Sequence, residues 1–498
     1  MHLWGEALTF GSAFFLLLAL ALAFSFEFVN GFHDTANAVA TVIYTHSLRP
    51  HVAVVWSGLC NLTGVLLSSG LVAYGIIALL PLDLVLNPGS SAGFAMVFAL
   101  LLSALIWNLG TWYLGLPASS SHAMIGSIMG VGVAYSMINS PDHSLLAGIN
   151  WAQAQKVGIT LLVSPLVGFI CSAILLLVLK VVLSSRPELF KAPEKGKTPP
   201  LWIRGLLVLT CTGVSFSHGS NDGQKGMGLF MLILIGIVPG AFALRMNADP
   251  ASIAKLASQT PPVAAIFQSA AGDATVADQA EAEAVLKKYK SSGKADGKVY
   301  AALASETTFI GSKVADAQGY ASLPSADRAT LRRGYFLVAE GIGKLTKSNA
   351  VADADQAKTL SGYKKALEAD TKYIPTWVKI VVSIALGFGT MIGWKRIVVT
   401  VGEKIGKEHL TYAQGASAEA VAWATIQAAD NFGLPVSTTH VLSSGIAGTM
   451  AANKSGLQGN TLRNLILAWV LTLPVTVLMG ATLFSGSLYL LLHVFGVR

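Results

Sequence analysis

Charge is what this sequence has least of. Asp, Glu, Lys and Arg make up only 12% of 498 residues, against roughly a quarter in soluble globular chains. That scarcity excludes a water-solvated surface over most of the chain. Cysteine is scarce as well. Cys60, Cys171 and Cys211 all fall in apolar runs, which excludes a disulfide framework and leaves no metal-ligand spacing. The pattern GxxxxGK[ST] is absent, so nothing supports nucleotide-driven pumping within the chain. The formal charge is +8, but many of the cations lie in short loops between spans instead of clustering on one soluble face, which argues against a nucleic-acid partner.

What fills the sequence instead is apolar, 53% of it. Runs of about 20 residues or more recur at Phe10–Val29, Val52–Leu80, Ala92–Leu116, Val157–Leu183, Leu206–Phe242 around a polar interruption, Trp377–Trp394 and Leu465–Leu491. Each is long enough for a bilayer core of about 30 Å. The expected class is an all-α polytopic membrane protein with the lipid bilayer as its first partner. The first run is not read as a secretory signal: it lacks a basic leader, and Asn30 and Asp34 stand where small cleavage-site residues belong.

One segment departs from this composition. Residues 245–372 hold 17 of the 34 Lys and Arg and 14 of the 26 Asp and Glu. Stretches such as 277–290 and 331–345 read as helices, and Tyr300, Phe309, Tyr335 and Phe336 give the segment something to bury. A small helical extramembrane insertion is expected.

Two pairs of motifs repeat in the same order. GFHDTANA (31–38) and GSNDGQKG (219–226), aligned on Asp34 and Asp222, are 188 positions apart; GLPASSSH (115–122) and GLPVSTTH (433–440) are 318 apart. The difference of 130 is within two residues of the length of the charged segment, 128. The chain therefore reads as a first membrane repeat (1–183), a basic linker (184–200), the start of a second repeat (201–244), the insertion (245–372) and the rest of the second repeat (373–498). The loop 184–204, with Arg186, Lys191, Lys195, Lys197 and Arg204, is expected in the cytoplasm, as is the loop 395–409 with Lys395, Arg396, Lys404 and Lys407. The counterpart of the latter, 81–91, has no basic residue and suits the outside. Equivalent loops on opposite sides mean inverted repeats, whose substrate sites sit near the midplane. If each motif-bearing region crosses once, the insertion and the N-terminus face outward.

Proline suits a first helical turn, so each GLP motif, followed by Ser119, Ser120 and Ser121 or by Ser437, Thr438 and Thr439, reads as a helix beginning inside the membrane. Such a start presents unpaired N–H groups and about half a positive charge, and is a natural oxyanion site. The plainer alternative is hydroxyl caps on kinked spans. Asp34, with Asn30 and Asn37 nearby, and Asp222, with Asn221 and Lys225 nearby, are costly at membrane depth. The glycines around them suggest unwound backbone whose carbonyls coordinate a cation; alternatively Asp carries a proton, or each Asp holds the spans in register. His33, His122, His218 and His440 could relay protons, bind metal or bond a carbonyl. Glu27, one turn before the first motif, Glu419 and Asp430 need partners.

The four motifs in order, spread over both halves of the membrane core, resemble the signatures of the inorganic phosphate transporter family, Pit or PiT, and within it the bacterial low-affinity branch. The resemblance implies inverted repeats with two re-entrant Ser/Thr hairpins. It implies phosphate held by Ser119, Ser120, Ser121, Ser437, Thr438, Thr439, Asn37 and Asn221. It also implies a coupling ion or proton handled at Asp34 and Asp222, and here Lys225, His33 and Glu27 belong with them. Lys225 departs from the sodium-coupled members, which carry asparagine in both copies, and His33 stands where the second copy has Asn221. A fixed ammonium disfavours a sodium site and fits proton symport of phosphate, free or as a neutral complex with Mg2+ or another divalent metal. The implied setting is a bacterial inner membrane. No cofactor and no catalytic residues are expected, and a homodimer is among the assemblies allowed. Sodium-coupled symport, an intramembrane hydrolase built on an Asp34–Asp222 dyad and an anion channel are the alternatives.

Overall fold

The computed structural model describes residues 2–496 apart from 5, 81–83, 85–89, 140–148, 195–196, 316, 349, 352 and 495; the side chains of 2, 3, 35–37 and 291 also lie outside the description. Most of loop 81–91 is thus outside it, as is the side chain of Asn37. The chain is helical almost throughout, as apolar runs in lipid must be: only a helix or a closed barrel satisfies its own backbone groups there. The first part runs α1 (Phe10–Tyr44), α2 (Pro50–Leu67), α3 (Leu71–Ile77), α4 (Ser91–Tyr113), α5 (Ser120–Asn139), α6 (Trp151–Val182) and α7 (Leu201–Ile237).

Two compact units divide the chain: Leu17–Ile233 with Ile374–Arg498, and Met1–Leu16 with Leu234–Tyr373. The second unit holds α8 (Pro239–Phe242), α9 (Pro250–Ala271), α10 (Gln279–Ser292), α11 (Gly297–Val314), α12 (Ser325–Lys347) and α13 (Ala354–Thr371). Aspartates start four of these helices: Asp249, Asp278, Asp296 and Asp353 each accept a first-turn N–H, which satisfies donors the helix cannot pair itself. The bundle closes on Phe267, Leu303, Tyr320, Leu331, Tyr335 and Tyr363, all fully buried.

The larger unit continues with α14 (Thr376–Met391), α15 (Lys395–Glu403), α16 (Tyr412–Asn431), α17 (Thr438–Ala452) and α18 (Gly459–Tyr489). Helices α7 and α14–α18 repeat the order and approximate lengths of α1–α6, and the contacts between the two series are reciprocal. A Cβ on Gly31 would lie 2.3 Å from the Leu386 carbonyl oxygen, and one on Gly219 would lie 2.2 Å from that of Asn61. Gly64 abuts the Phe216 oxygen and Gly389 that of Phe28, both at 2.1 Å by the same measure. Within each set the mates are 188 positions apart in α1 and α7 and 325 apart in α2 and α14. Likewise Gly130 of α5 meets Val477 of α18, while Gly448 of α17 meets Phe169 of α6. Each helix of one half thus packs on the partner's equivalent in the other. Backbones approach this closely only where a side chain is missing, the small-residue packing that membrane helices use.

Three sequence expectations change here. Both aspartate segments were expected to be unwound, yet α1 and α7 are continuous through Asp34 and Asp222. Their carbonyls are committed to i→i+4 bonds, so the aspartate side chains, not free backbone, must do any ion binding. Six described helices are long and apolar enough to cross a membrane, among them α5, which was read from its motif alone. By contrast α14, expected to span, has 16 residues, about 24 Å of helix and short of the bilayer core.

Candidate functional site

Helical spacing puts Glu27, Asn30 and Asp34 along one face of α1, and His218, Asp222 and Lys225 along one face of α7. All six are buried. Against them stand the first turns of α5 and α17. Each start is set by a hydroxyl cap: Ser119 Oγ accepts from His122 N and Ser437 Oγ from His440 N, both at 3.2 Å. The cap, not the proline, defines where each helix begins, so Pro117 and Pro435 lie two residues upstream of it, outside the first turn where sequence placed them. The two starts adjoin. Ser121 Oγ donates to Val436 O at 3.0 Å, and the rings of His122 and His440 lie 4.5 Å apart.

The aspartates converge on these starts. Ser120 Oγ donates to Asp34 Oδ2 at 3.0 Å and lies 3.4 Å from Asp222 Oδ2. Thr439 Oγ1 donates to Asp34 Oδ1. Lys225 Nζ is 2.7 Å from Asp222 Oδ1 and also donates to Ser121 Oγ. Ser121 and Thr439 are repeat mates, so the arrangement is two-fold in plan and broken by one residue: where Thr439 reaches Asp34 directly, the ammonium of Lys225 stands between Ser121 and Asp222. With both carboxylates ionised and the histidines neutral, these groups carry one surplus negative charge.

The other residues singled out by sequence are placed as follows. Asn221 secures the second hairpin, donating to Leu434 O at 3.1 Å and accepting from Val436 N at 3.3 Å. Thr438 Oγ1 is buried with no hydrogen-bond partner among the described residues. His33 holds Thr111 Oγ1 at 3.1 Å, with its other nitrogen 3.5 Å from Asp34. Glu27 is one step away, beside Asn30 and against Gly226. Glu419 is not brought to the cluster; Thr41 and Thr210 hold its carboxylate elsewhere.

Sequence reasoning undervalued His218. Its Nδ1 meets Asn61 Oδ1 at 2.8 Å, and its Nε2 lies 3.7 Å from both aspartates. The signal was its place one turn before Asp222. Asn61, on α2 and outside every motif, carried none. Asp430, read only as lying near a helix end, accepts from Ser220 at 2.6 Å and Gln224 at 2.5 Å. Donor atoms of Asp34, His218 and Asp222 lie within 4.8 Å of one another, a spacing and an oxygen–nitrogen donor set that one divalent cation fits.

The chain matches the model of a phosphate transporter family over residues 30–480. It is 42% identical to the low-affinity inorganic phosphate transporter PitA of Escherichia coli (strain K12), covering 96% of this chain and 97% of that one. It is 40% identical to PitB of the same strain, covering 95% and 96%, and 26% identical to a probable low-affinity inorganic phosphate transporter of Bacillus subtilis (strain 168), covering 93% and 95%. Among solved structures, a sodium-dependent phosphate transporter superposes with a TM-score of 0.51 at 17% identity, covering 95% of this chain and 98% of that one; that likeness concerns the fold.

Proposed function

The chain belongs to the phosphate transporter family, and from that membership we propose that it imports inorganic phosphate by proton symport, as a secondary transporter built of inverted repeats. The observation that carries the proton assignment is the pairing of Ser120 and Thr439 with one carboxylate, Asp34. Hydroxyls from both hairpins donate to it, so an ionised Asp34 competes with phosphate for the same donors. Protonation turns one Asp34 oxygen from acceptor to donor and releases the hydroxyl that oxygen held for a substrate oxygen. Thr438, Ser120, Ser121 and the N–H groups of the paired helix starts then surround the oxyanion, and the capped Ser119 and Ser437 hold those starts in place. Lys225 supplies a positive charge beside Asp222. A buried ammonium is tolerable only beside a counter-charge, which Asp222 provides.

A second reading of the substrate has its own support. Asp34, His218 and Asp222 have the spacing to receive a divalent cation, so phosphate carried as a neutral metal complex would bring its cation to the carboxylates and its oxygens to the hydroxyls. The test is phosphate uptake into proteoliposomes with pH, sodium and magnesium varied separately. Uptake should follow an inward proton gradient and ignore sodium at constant pH; a magnesium requirement selects the metal complex. Sodium-dependent uptake at fixed pH overturns the proton assignment.

A further inference from the structure

Outside the central cluster, an open cavity of about 630 Å³ lies between the end of α4 and the start of α15. Lys395, Arg396 and Lys404 line it together with Trp112, Tyr113 and Thr400. We propose that this cavity is a second anion site, taking the phosphate group of an anionic phospholipid.

Three observations carry it. First, the cations are gathered and unpaired: among the described residues no carboxylate forms an ion pair with any of the three. Arg396 is instead fixed by neutral groups. Its guanidinium stacks 5.2 Å from the Trp112 ring centre and 5.0 Å from that of Tyr113, and spends one N–H on the Tyr113 carbonyl at 2.7 Å. The remaining N–H donors form a preorganised fork suited to phosphate. Trp112 Nε1 bonds the Gly393 carbonyl at 2.8 Å and Thr400 Oγ1 that of Gly115 at 2.9 Å, so the walls are tied together.

Second, the repeat provides an internal control. Gly75 and Gly433, the mates of Thr400 and Gly115, also adjoin, and Gly433 packs on Leu71, the mate of Arg396. By the offset of 325 the stretch 395–409 matches 70–84, not the loop 81–91 expected from sequence, and the positions matching Lys395, Arg396 and Lys404 are Gly70, Leu71 and Leu79. The fold therefore builds this corner without cations, and the three charges serve something else. Loop charges that merely set membrane orientation need not be collected around one cavity.

Third, the flank is apolar and exposed: Leu114 is 70% and Ile392 55% accessible. A cationic cavity beside lipid-facing apolar surface matches a headgroup with its acyl chains attached, and basic pockets of this kind bind acidic headgroups. Free inorganic phosphate shares the headgroup's chemistry but not its tails.

The test uses the full-length protein in detergent, with native mass spectrometry against phosphatidylglycerol and phosphatidylcholine of matched chains, and calorimetric titration with inorganic phosphate. The wild type should retain phosphatidylglycerol at least tenfold better than phosphatidylcholine. Lys395→Gln with Lys404→Gln, which leaves Arg396 and its bond to Tyr113 intact, should remove that preference. A two-site phosphate isotherm that becomes one-site in the same variant would keep the anion site and assign it to free phosphate. Equal retention of both lipids by the wild type, together with a one-site isotherm, overturns the proposal without reference to any variant.

Discussion

Asp222 and Lys225 sit three residues apart on α7, with their charged atoms 2.7 Å from each other. Breaking such a buried pair by removing one partner costs about 3–5 kcal/mol, because the other charge is stranded. Asp222→Asn alone is therefore expected to lower phosphate transport more than Asp222→Asn combined with Lys225→Asn. A double-mutant cycle on uptake at fixed pH measures the coupling, and strictly additive losses would show that the pair does not act together. The hydroxyls make a second prediction. Ser120 reaches the carboxylates, while Thr438, its repeat mate, has no hydrogen-bond partner among the described residues. Losing a hydrogen bond to a charged group costs about 1.5–3 kcal/mol, so Thr438→Ala and Ser120→Ala should each raise the phosphate KM roughly 10- to 100-fold. KM values unchanged in both variants would reduce these hydroxyls to structural roles.

Between elements, the packing depends on glycines in mated positions. A Cβ on Gly130 would fall 2.0 Å from the Val477 carbonyl oxygen, and one on Gly448 would fall 2.1 Å from that of Phe169. These neighbours are helix backbone, which cannot step aside as a side-chain tip can. Gly130→Ala and Gly448→Ala should therefore lower the thermal unfolding temperature by similar amounts. Gly110→Ala is the control. It is helical, with nothing within 4 Å of the new methyl, so the better helix propensity of alanine, worth about 1 kcal/mol, should hold the temperature level or raise it. A marked difference between the two mated variants would contradict reciprocal packing of α5 on α18 and α17 on α6.

For the molecule as a whole, the inserted unit offers two measurements. The two ends of the insertion lie together, with Arg245 N donating to Asp370 O at 3.0 Å. A short Gly/Ser linker in place of 246–369 should therefore join the flanking chain without pulling on it, and uptake should persist; normal membrane levels with no uptake would make the unit part of the transport cycle. The unit also carries a buried acid. Glu306 on α11 is fully buried and meets Gln279 and Glu283 of α10 and Arg333 of α12. Burial first, and the Glu283 charge second, push its carboxyl from 4.5 up to about 7. The folded unit thus prefers the protonated acid. Its stability is fullest below about 4.5 and declines until the pH passes about 7, on the order of 3 kcal/mol at 1.36 kcal/mol per pH unit. Amide exchange over 297–314 in the intact protein should be faster at pH 7.5 than at pH 5 after correction for intrinsic rates, and Glu306→Gln should flatten the difference.

The membrane class and the family follow from sequence alone. Long uncharged runs permit little but helices in lipid, and Asp34, Asp222 and the two GLP motifs declare the repeat by spacing, since a duplicated segment keeps its motif order whatever its fold. Sequence also set Lys225 three residues from Asp222 as its counter-charge, and the continuous α7 brings the two to one face. What it could not decide is anything that depends on distance between helices. Whether the aspartates lie on unwound or continuous backbone turns on tertiary packing, and glycines that suggested unwinding serve close helix contact instead. That His218 lies 3.7 Å from both aspartates, and that Asn61 from α2 steadies it, arises where α1, α2 and α7 cross. Glu27 and Glu419 illustrate the same point from the other side. Both are carboxylates in apolar helices, but spacing along α1 already puts Glu27 on the face of Asn30 and Asp34, whereas only packing gave Glu419 to Thr41 and Thr210. Local spacing fixes what one helix presents, and only the crossing of helices fixes what that face meets.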